Sequence, residues 1–295
     1  MRTRWICLAV LAVNLGTVAG PLRADAGTDL KLFDRSNLAA WCIVPFDAKQ
    51  RGPEERAVML ERLGLRRFAY DWRAEHLPHF EAELAALKKH GIELTAVWFP
   101  TTLDKDARFI LDTLAKHRIK TQLWVTGAVG PARTPEEQRA LVRSEATRLR
   151  PIAEEAAKIG CTVGLYNHGA WFGQPENQLA IIDTLGLPNV GIVYNLHHGH
   201  EHLPRFPEVL QLIKPRLLAI NLNGMVVEGD YHDKKILVIG KGDEDLRLLR
   251  AIRDSGWKGP VGILNHTAGD AETQLRANLA GLTGLVEQLR ATPGK

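Results

Sequence analysis

The sequence predicts an α/β protein that folds as a single-domain (β/α)8 TIM barrel, and three observations lead to this prediction. Short apolar runs alternate with longer amphipathic segments, which is typical of a parallel α/β sheet. There are eight such pairs, a number that favours a closed barrel over an open sheet. The apolar runs are nearly continuous, as in strands whose two faces are both covered. The predicted strands are residues 41–46, 67–72, 93–99, 121–126, 162–166, 190–196, 217–222 and 261–264.

A predicted helix follows each strand, and glycines mark several of the helix ends. Gly64, Gly91, Gly160 and Gly186 come after a last helical turn, where a left-handed residue is often required. An insertion at residues 226–242, between the seventh strand and its helix, predicts a small hairpin over the barrel mouth. The predicted helices are residues 54–63, 79–89, 104–117, 135–158, 175–185, 204–213, 244–254 and 271–289.

The first 26 residues have the features of a secretory signal peptide. Arg2 and Arg4 supply a positive start, residues 6–18 supply an apolar run, and Ala24-Asp25-Ala26 fits a cleavage site. The alternative is an uncleaved anchor, although the apolar run is shorter than the roughly 20 residues that a membrane span needs. We therefore expect a signal peptide at residues 1–26 and a barrel at residues 27–295. The protein would be exported, periplasmic or secreted, and free of the membrane after cleavage.

The charge balance indicates that nucleic acid is not the partner. The chain has 38 Lys and Arg residues against 34 Asp and Glu residues, and no basic cluster with interleaved aromatic residues. A nucleic-acid surface would need a strong excess of basic charge on one face. The sequence leaves the oligomeric state open.

After removal of the leader, two cysteines remain, and we expect both to be buried free thiols. The predicted elements place Cys42 at the start of the first strand and Cys161 immediately before the fifth. These strands lie opposite each other in an eight-stranded barrel, so the Cα atoms should be farther apart than the ~7 Å that a disulfide allows.

Polar side chains recur at the ends of the predicted strands, where barrels of this kind carry their function. In the first half, the second strand ends near Asp71 and Arg73, and the third strand ends near Trp98. The second half is richer in polar groups, because each of its four strands ends in amides, imidazoles or both. These residues are Asn167, His168, Asn195, His198, His200, Asn221, Asn223, Asn265 and His266.

Several segments of the chain resemble the xylose isomerase-like family, which includes sugar phosphate isomerases, sugar epimerases and endonuclease IV. They are Gly-Leu-Tyr-Asn-His-Gly at 164–169, Val-Gly-Ile-Val-Tyr-Asn-Leu-His-His at 190–198, Leu-Leu-Ala-Ile-Asn-Leu-Asn at 217–223 and Gly-Lys-Gly-Asp-Glu-Asp-Leu at 240–246. The resemblance extends over roughly residues 40 to 290. It implies a divalent metal held by Glu, Asp, His and Glu at strands five to eight. This chain has Tyr166, Asn195, Asn221 and either Asn265 or Leu264 at those places.

The replacements make the inherited metal site doubtful, because amide oxygens rarely hold a hard cation without carboxylates. Imidazoles offer a substitute, since three neutral histidines can bind zinc or a similar metal. The candidate metal ligands are therefore His168, His198, His200 and His266, and the identity of any cofactor stays unknown. The alternative is that these histidines donate and accept hydrogen bonds in a polar pocket. For catalysis we single out His168, His198 and His266.

The remaining candidates predict contacts with a small carbohydrate. Trp98, Trp124 and Trp171 offer faces on which a sugar ring stacks, although core packing explains Trp98 and Trp124 equally well. Trp171 lies in the loop Gly169-Ala-Trp-Phe-Gly173, where exposure to the pocket is expected. Asp71 and Arg73 either bind the ligand or form an internal ion pair.

Three functions are consistent with these residues. The first is an isomerase, epimerase or lyase that removes a proton beside the carbonyl of an unphosphorylated sugar or keto-sugar, with histidine as base. The second is a carbohydrate-binding barrel without catalysis, since Asn both donates to and accepts from sugar hydroxyls. The third is a hydrolase with a histidine-bound zinc. An exported protein seldom meets sugar phosphates, so an unphosphorylated ligand is expected.

Overall fold

The computed structural model describes residues 29–127 and 130–291. Eight parallel strands close into a barrel in sequence order, and a helix follows each strand, as the sequence predicts. The first and last strands pair from Leu38 with Val261 to Trp41 with Leu264, which closes the sheet. The strands are β1 Leu38–Trp41, β2 Arg67–Tyr70, β3 Glu93–Trp98, β4 Gln122–Val125, β5 Thr162–Tyr166, β6 Val190–Asn195, β7 Leu217–Leu222 and β8 Val261–Leu264.

The helices form the outer ring, and their ends follow local chemistry. The carboxylate of Asp104 accepts from the amide N–H of Ala107 at 2.9 Å, and the hydroxyl of Thr134 accepts from Glu137 at 3.1 Å. Gly64, Gly91, Gly160 and Gly186 all have positive φ, as their predicted positions require. The helices are α1 Pro53–Arg62, α2 Phe80–Lys89, α3 Lys105–His117, α4 Pro135–Lys158, α5 Pro175–Leu185, α6 Phe206–Ile213, α7 Asp245–Asp254 and α8 Ala271–Ala291.

The first strand differs from its predicted position at residues 41–46. It covers Leu38–Trp41, because the chain turns out of the sheet at Cys42, whose φ is +61°. Cys42 therefore follows β1 rather than starting it, while Cys161 immediately precedes β5. The two thiols lie on opposite strands and at opposite ends of the barrel. Both are buried and free, so the prediction of unpaired cysteines is confirmed.

The insertion at residues 226–242 does not form a regular hairpin. A single antiparallel bridge joins Gly224 to Leu237, and a short 3-10 helix covers Gly229–Tyr231. A Cβ atom at Gly224 would lie 2.3 Å from the carbonyl oxygen of Val238, so only glycine allows the two segments to approach. We call residues 226–242 the flap.

An ion-pair network joins the loop after β1 to the loop after β8. The guanidinium of Arg51 contacts Asp47 at 2.8 Å and Asp270 at 2.7 Å. Ala48 donates its backbone N–H to the carbonyl oxygen of Gly269, and Ala271 donates to the Asp47 carboxylate. These contacts close the barrel above its first and last strands.

The predicted signal peptide lies outside the described residues. In the described part of the chain, no helix combines the length and hydropathy needed to cross a bilayer.

Candidate functional site at the barrel mouth

Four large aromatic side chains fill the barrel interior near the carboxyl ends of the strands. Trp41, Trp98, Trp124 and Tyr166 come from β1, β3, β4 and β5, and we call them the aromatic floor. The rings of Trp41 and Trp124 meet edge to face at 4.7 Å, and those of Trp98 and Tyr166 do so at 5.1 Å. Small residues of the barrel strands pack against these rings, among them Ala69 on β2, Ala96 on β3 and Ala219 on β7.

The hydroxyl of Tyr166 is held by a chain of hydrogen bonds. The indole Nε1–H of Trp41 donates to it at 3.1 Å, and the Asn195 side-chain amide also donates to it. The Asn195 Oδ1 atom lies 2.7 Å from Nδ1 of His197. Burial raises the pKa of Tyr166 well above its usual value, so the phenol is neutral at physiological pH.

Four histidines lie above the floor and follow β5, β6 and β8. Ring centroids are 4.4 Å apart for His168 and His198, 3.6 Å for His197 and His198, and 6.4 Å for His197 and His266. Two of the four, His168 and His266, are exposed. The structure therefore brings together the three histidines singled out from the sequence. The fourth, His197, was missed, although it stands next to His198 in the same segment.

The line of rings continues to the opposite side of the mouth. The ring of Phe46 lies 3.8 Å from that of His266, and the guanidinium of Arg73 lies 5.3 Å from the Phe46 ring centroid. Arg73 is fixed in place because its Nη1 atom donates to the backbone oxygens of Asp71 and Trp72. We call Arg73, Phe46, His266, His197, His198 and His168 the mouth arc.

The environment lowers the pKa of three imidazoles of the mouth arc, of which His197 is buried, His198 is half-buried and His266 is exposed. Burial lowers the pKa of His198 to about 3, and the neighbouring His168 and Lys235 lower it further. Burial also lowers the pKa of His197 far below its usual value, with His198 as the next cause. The pKa of His266 is lowered by burial and then by Arg73. These three rings are neutral at pH 7 and can accept a proton or a hydrogen bond.

The amides at the strand ends divide into two groups. Asn167 and Asn195 bind each other: Asn167 donates to the backbone oxygen of Asn195 at 3.1 Å and accepts from its N–H at 2.7 Å. The side chains of Asn221 and Asn265 are fully buried, and neither amide has a hydrogen-bond partner within the described residues. Asn223 donates to the backbone of Gly224 and of the flap, while its Oδ1 atom lacks a partner there.

Asp71 is the buried carboxylate of the mouth. Its Oδ1 atom accepts from the N–H of Val44 at 3.1 Å, and its Oδ2 atom has no partner among the described residues. Burial raises the pKa of Asp71 to about 6. The side chains of Asp71 and Arg73 do not form the ion pair that the sequence allowed, since Arg73 instead binds backbone oxygens.

Two further candidates lie away from the mouth arc. Trp171 is 8% exposed, and its Nε1–H donates to Gln138 on α4. Its ring packs in the main hydrophobic core, so the expectation that it faces the pocket is wrong. His200 is buried, and its Nε2 atom contacts the carbonyl oxygen of Lys235 in the flap at 3.0 Å. His200 therefore helps to hold the flap against the loop that follows β6.

The four positions that correspond to the family's metal ligands carry no carboxylate and no imidazole. Tyr166 is a neutral phenol that accepts two hydrogen bonds, and Asn195 turns its amide N–H toward that phenol. Asn221 and Asn265 provide no charge to balance a cation. Within residues 29–127 and 130–291, no group of three or more His, Cys, Asp and Glu side chains is arranged to hold a metal ion.

Comparison with known proteins places the chain in a family. The model of the xylose isomerase-like TIM barrel family matches residues 56–284, and the chain belongs to that family. Among curated proteins, no relative with significant sequence similarity is found.

Solved structures show the same fold at low sequence identity. A xylose isomerase domain protein from Alicyclobacillus acidocaldarius is 20% identical, with a TM-score of 0.63 over 86% of this chain and 99% of that one. A 3-keto-D-glucoside 4-epimerase from E. coli is 18% identical, with a TM-score of 0.63 over 85% and 98%. A D-psicose 3-epimerase is 17% identical, with a TM-score of 0.57 over 86% and 97%.

Proposed function

We propose that the barrel mouth binds an unphosphorylated sugar or keto-sugar and transfers a proton beside its carbonyl group, without the metal of the family. The observation that carries this proposal is the mouth arc, in which neutral imidazoles and a fixed guanidinium border the same opening above an aromatic floor. The sugar epimerases among the structural neighbours support the substrate class. The predicted export of the protein supports the absence of a phosphate group.

The unpartnered amides support a ligand rich in hydroxyl groups. Buried polar atoms nearly always have hydrogen-bond partners, and leaving one without a partner costs about 1–3 kcal/mol. Asn221, Asn265 and Asp71 keep such atoms at the ends of three strands. A sugar hydroxyl both donates and accepts, so it satisfies an amide from either side. Trp98, which is partly exposed on the aromatic floor, offers a face for the apolar side of the ring.

The chemical step needs a base and a positive group near the developing enolate oxygen. Arg73 is a permanent cation held by two backbone oxygens, and His266 is a neutral imidazole that contacts the same Phe46 ring. In this assignment His266 accepts the proton from the carbon beside the carbonyl, and Arg73 stabilises the enolate. His168 and His198 then face the other side of the sugar, where His198 accepts hydrogen bonds because its pKa is about 3.

A second function, sugar binding without turnover, is favoured by one specific observation. General bases work best with a pKa near the working pH, and the His198 ring at the centre of the arc has a pKa far below it. A barrel that only binds needs acceptors and donors at these positions and no base.

Solvent exchange distinguishes the two functions. We expect metal-depleted protein in D2O to replace the proton beside the carbonyl of ketohexoses with deuterium. Proton NMR measures the rate as the loss of that proton's signal. His266→Ala should lower the exchange rate by about 10²-fold or more. His117→Ala, a change at the exposed end of α3, is the matched control and should leave the rate unchanged.

Thermal shift completes the test of the ligand class. Free sugars or keto-sugars should raise the melting temperature, and their phosphate esters should do so much less. Stabilisation without exchange would establish the binding function instead. Exchange that appears only after a divalent metal is added, or a preference for the phosphate esters, would contradict the proposal.

A further inference from the structure

A cavity of about 460 Å³ lies outside the barrel mouth, between the loops after β1 and β2 and the first turns of α1 and α2. Its volume falls in the range of pockets that take small ligands. None of the mouth-arc residues lines it. Its wall includes Val44, Gly52, Arg56, Tyr70, His76 and Glu83, and we call it the α1–α2 cavity.

A buried ion pair of Arg56 and Glu83 forms part of the cavity wall. The two side chains are 3% and 1% exposed and contact each other through Nη1 and Oε2. Arg56 also donates from Nη2 to the backbone oxygen of Arg51 at 2.5 Å. Two polar atoms remain without a partner in the described part of the chain, Nε of Arg56 and Oε1 of Glu83. One of these is a donor and the other an acceptor.

His76 supplies a second donor to the cavity. Its Nδ1 atom accepts from the backbone N–H of Arg73 at 3.0 Å, so the neutral ring carries its proton on Nε2. Burial lowers the pKa of His76, and the positive charges of Arg56 and Arg73 act in the same direction against the attraction of Glu75. The hydroxyl of Tyr70 donates to the backbone oxygen of His76 at 3.2 Å, which holds the loop in place.

The buried charges of the cavity wall are paired, and its remaining carboxylate, Glu75, is exposed to solvent, which argues against an anionic ligand. Arg56 is paired with Glu83, and Arg51 is paired with Asp47 and Asp270. Apolar surface from Val44, Pro45 and Pro53 makes up another part of the wall. An anion would meet paired cations, and a cation would meet paired carboxylates and the solvent-exposed Glu75. A hydroxyl-bearing molecule instead satisfies a donor and an acceptor together and places its C–H groups on the apolar part.

We infer that the α1–α2 cavity is a second binding site, for a neutral polyol or sugar-like molecule whose neighbouring hydroxyls engage Arg56, Glu83 and His76. This site does not rest on the proposed function, because it lies outside the mouth arc. The ligand relieves the unpaired donor and acceptor, and so it stabilises the folded protein by mass action.

The test fills the cavity with a side chain and measures polyol binding. Gly52 has an ordinary φ of −69°, and a Cβ atom added there meets only Glu55 Oε2, at 3.9 Å. Gly52→Trp therefore places a large ring at the wall with little backbone strain. Gly284→Trp is the matched control, since an added Cβ atom on α8 meets nothing within 4 Å. Binding of xylitol and D-glucose is followed by calorimetry and ligand-observed NMR, with inorganic phosphate and 1,4-diaminobutane as charged probes.

We expect Gly52→Trp to raise the Kd for xylitol at least about tenfold, because the ring occupies the ligand's space. Gly284→Trp and His266→Ala should leave that Kd unchanged, which separates this site from the mouth. Glu83→Gln, which keeps the shape of the side chain, should also weaken xylitol binding. Tighter binding of phosphate or the diamine, an absence of polyol binding, or polyol binding that Gly52→Trp does not alter would overturn the inference.

Discussion

The two halves of the barrel end their strands in different chemistry. In the first half, β1, β3 and β4 carry Trp41, Trp98 and Trp124 into the interior, and these rings pack against one another. In the second half, the strands end in amides and imidazoles, several of which lack partners within the described residues. One half therefore supplies a packed floor that stabilises the fold, and the other supplies polar groups that a ligand can use. Tyr166 joins the halves, because its ring packs with the tryptophans and its hydroxyl binds Asn195.

The largest expected effect tests whether the floor carries stability. Trp124 is 1% exposed and donates to Gln122 at 2.8 Å. Trp124→Ala should lower the free energy of unfolding by about 3–5 kcal/mol, because it leaves a large cavity. His198→Ala should cost less than about 1 kcal/mol, since this ring makes no hydrogen bond within the described residues. Urea unfolding followed by circular dichroism measures both. Similar decreases in the free energy of unfolding for the two variants would contradict the view that the aromatic floor stabilises the fold and the mouth arc does not.

Asp71 is the exception in the first half, and its charge should oppose folding at neutral pH. Its pKa is raised to about 6 from 3.8 by burial, so its stabilising contribution is complete below about pH 4 and is lost as the pH rises through 6. Asp71→Asn keeps an acceptor for the Val44 N–H and removes the titration. As the pH rises from 4 to 7, the free energy of unfolding of the variant should increase relative to that of the wild type by up to about 3 kcal/mol.

Urea unfolding at each pH gives this difference. Burial raises the pKa of Glu83 to about 7, and the charge of Asp71 raises it further, so the difference between the two proteins includes a smaller contribution from Glu83. A difference that does not change with pH would mean that Asp71 is solvated in the folded state.

The smallest effect concerns the fit between β7 and β8. A Cβ atom at Gly262 would lie 1.8 Å from Oδ1 of its pairing partner Asn221. Gly262→Ala should cost about 1–3 kcal/mol through overpacking. In the double variant with Asn221→Ala, much of this loss should disappear, because the clash is removed. Additive effects in the double-mutant cycle would show that the two positions are independent.

The fold was predictable because each β/α unit carries its own hydrophobic pattern and its own end signals. The first strand was misplaced because residues 41–46 are as apolar as residues 38–41, and the turn that separates them uses Cys42 instead of glycine. Nothing in the local sequence marks a positive φ at a cysteine.

The candidate site was predictable to the level of strand ends. His168, His198 and His266 were found because the barrel topology brings strand ends together. Phe46 was missed as a site residue, and Trp171 was expected in the pocket, because their positions depend on contacts with residues distant in sequence. The cavity between α1 and α2 left no motif, since the groups that line it come from separate loops and helices.

The flap is fastened to the barrel through its backbone, which bridges Gly224 at Leu237, donates to Asn278 from Ile239, and offers the carbonyl oxygen of Lys235. The carbonyl oxygen of Lys235 contacts His200 after β6 at 3.0 Å and accepts from Asn223 after β7 at 3.3 Å. Every amino acid has this oxygen, so the fastening places no demand on which side chain stands at position 235. Over evolutionary time the barrel can therefore exchange the side chains that the flap presents at the mouth while keeping the flap anchored there. The side chains that set ligand specificity can thus change without loss of the backbone contacts that hold the flap in place.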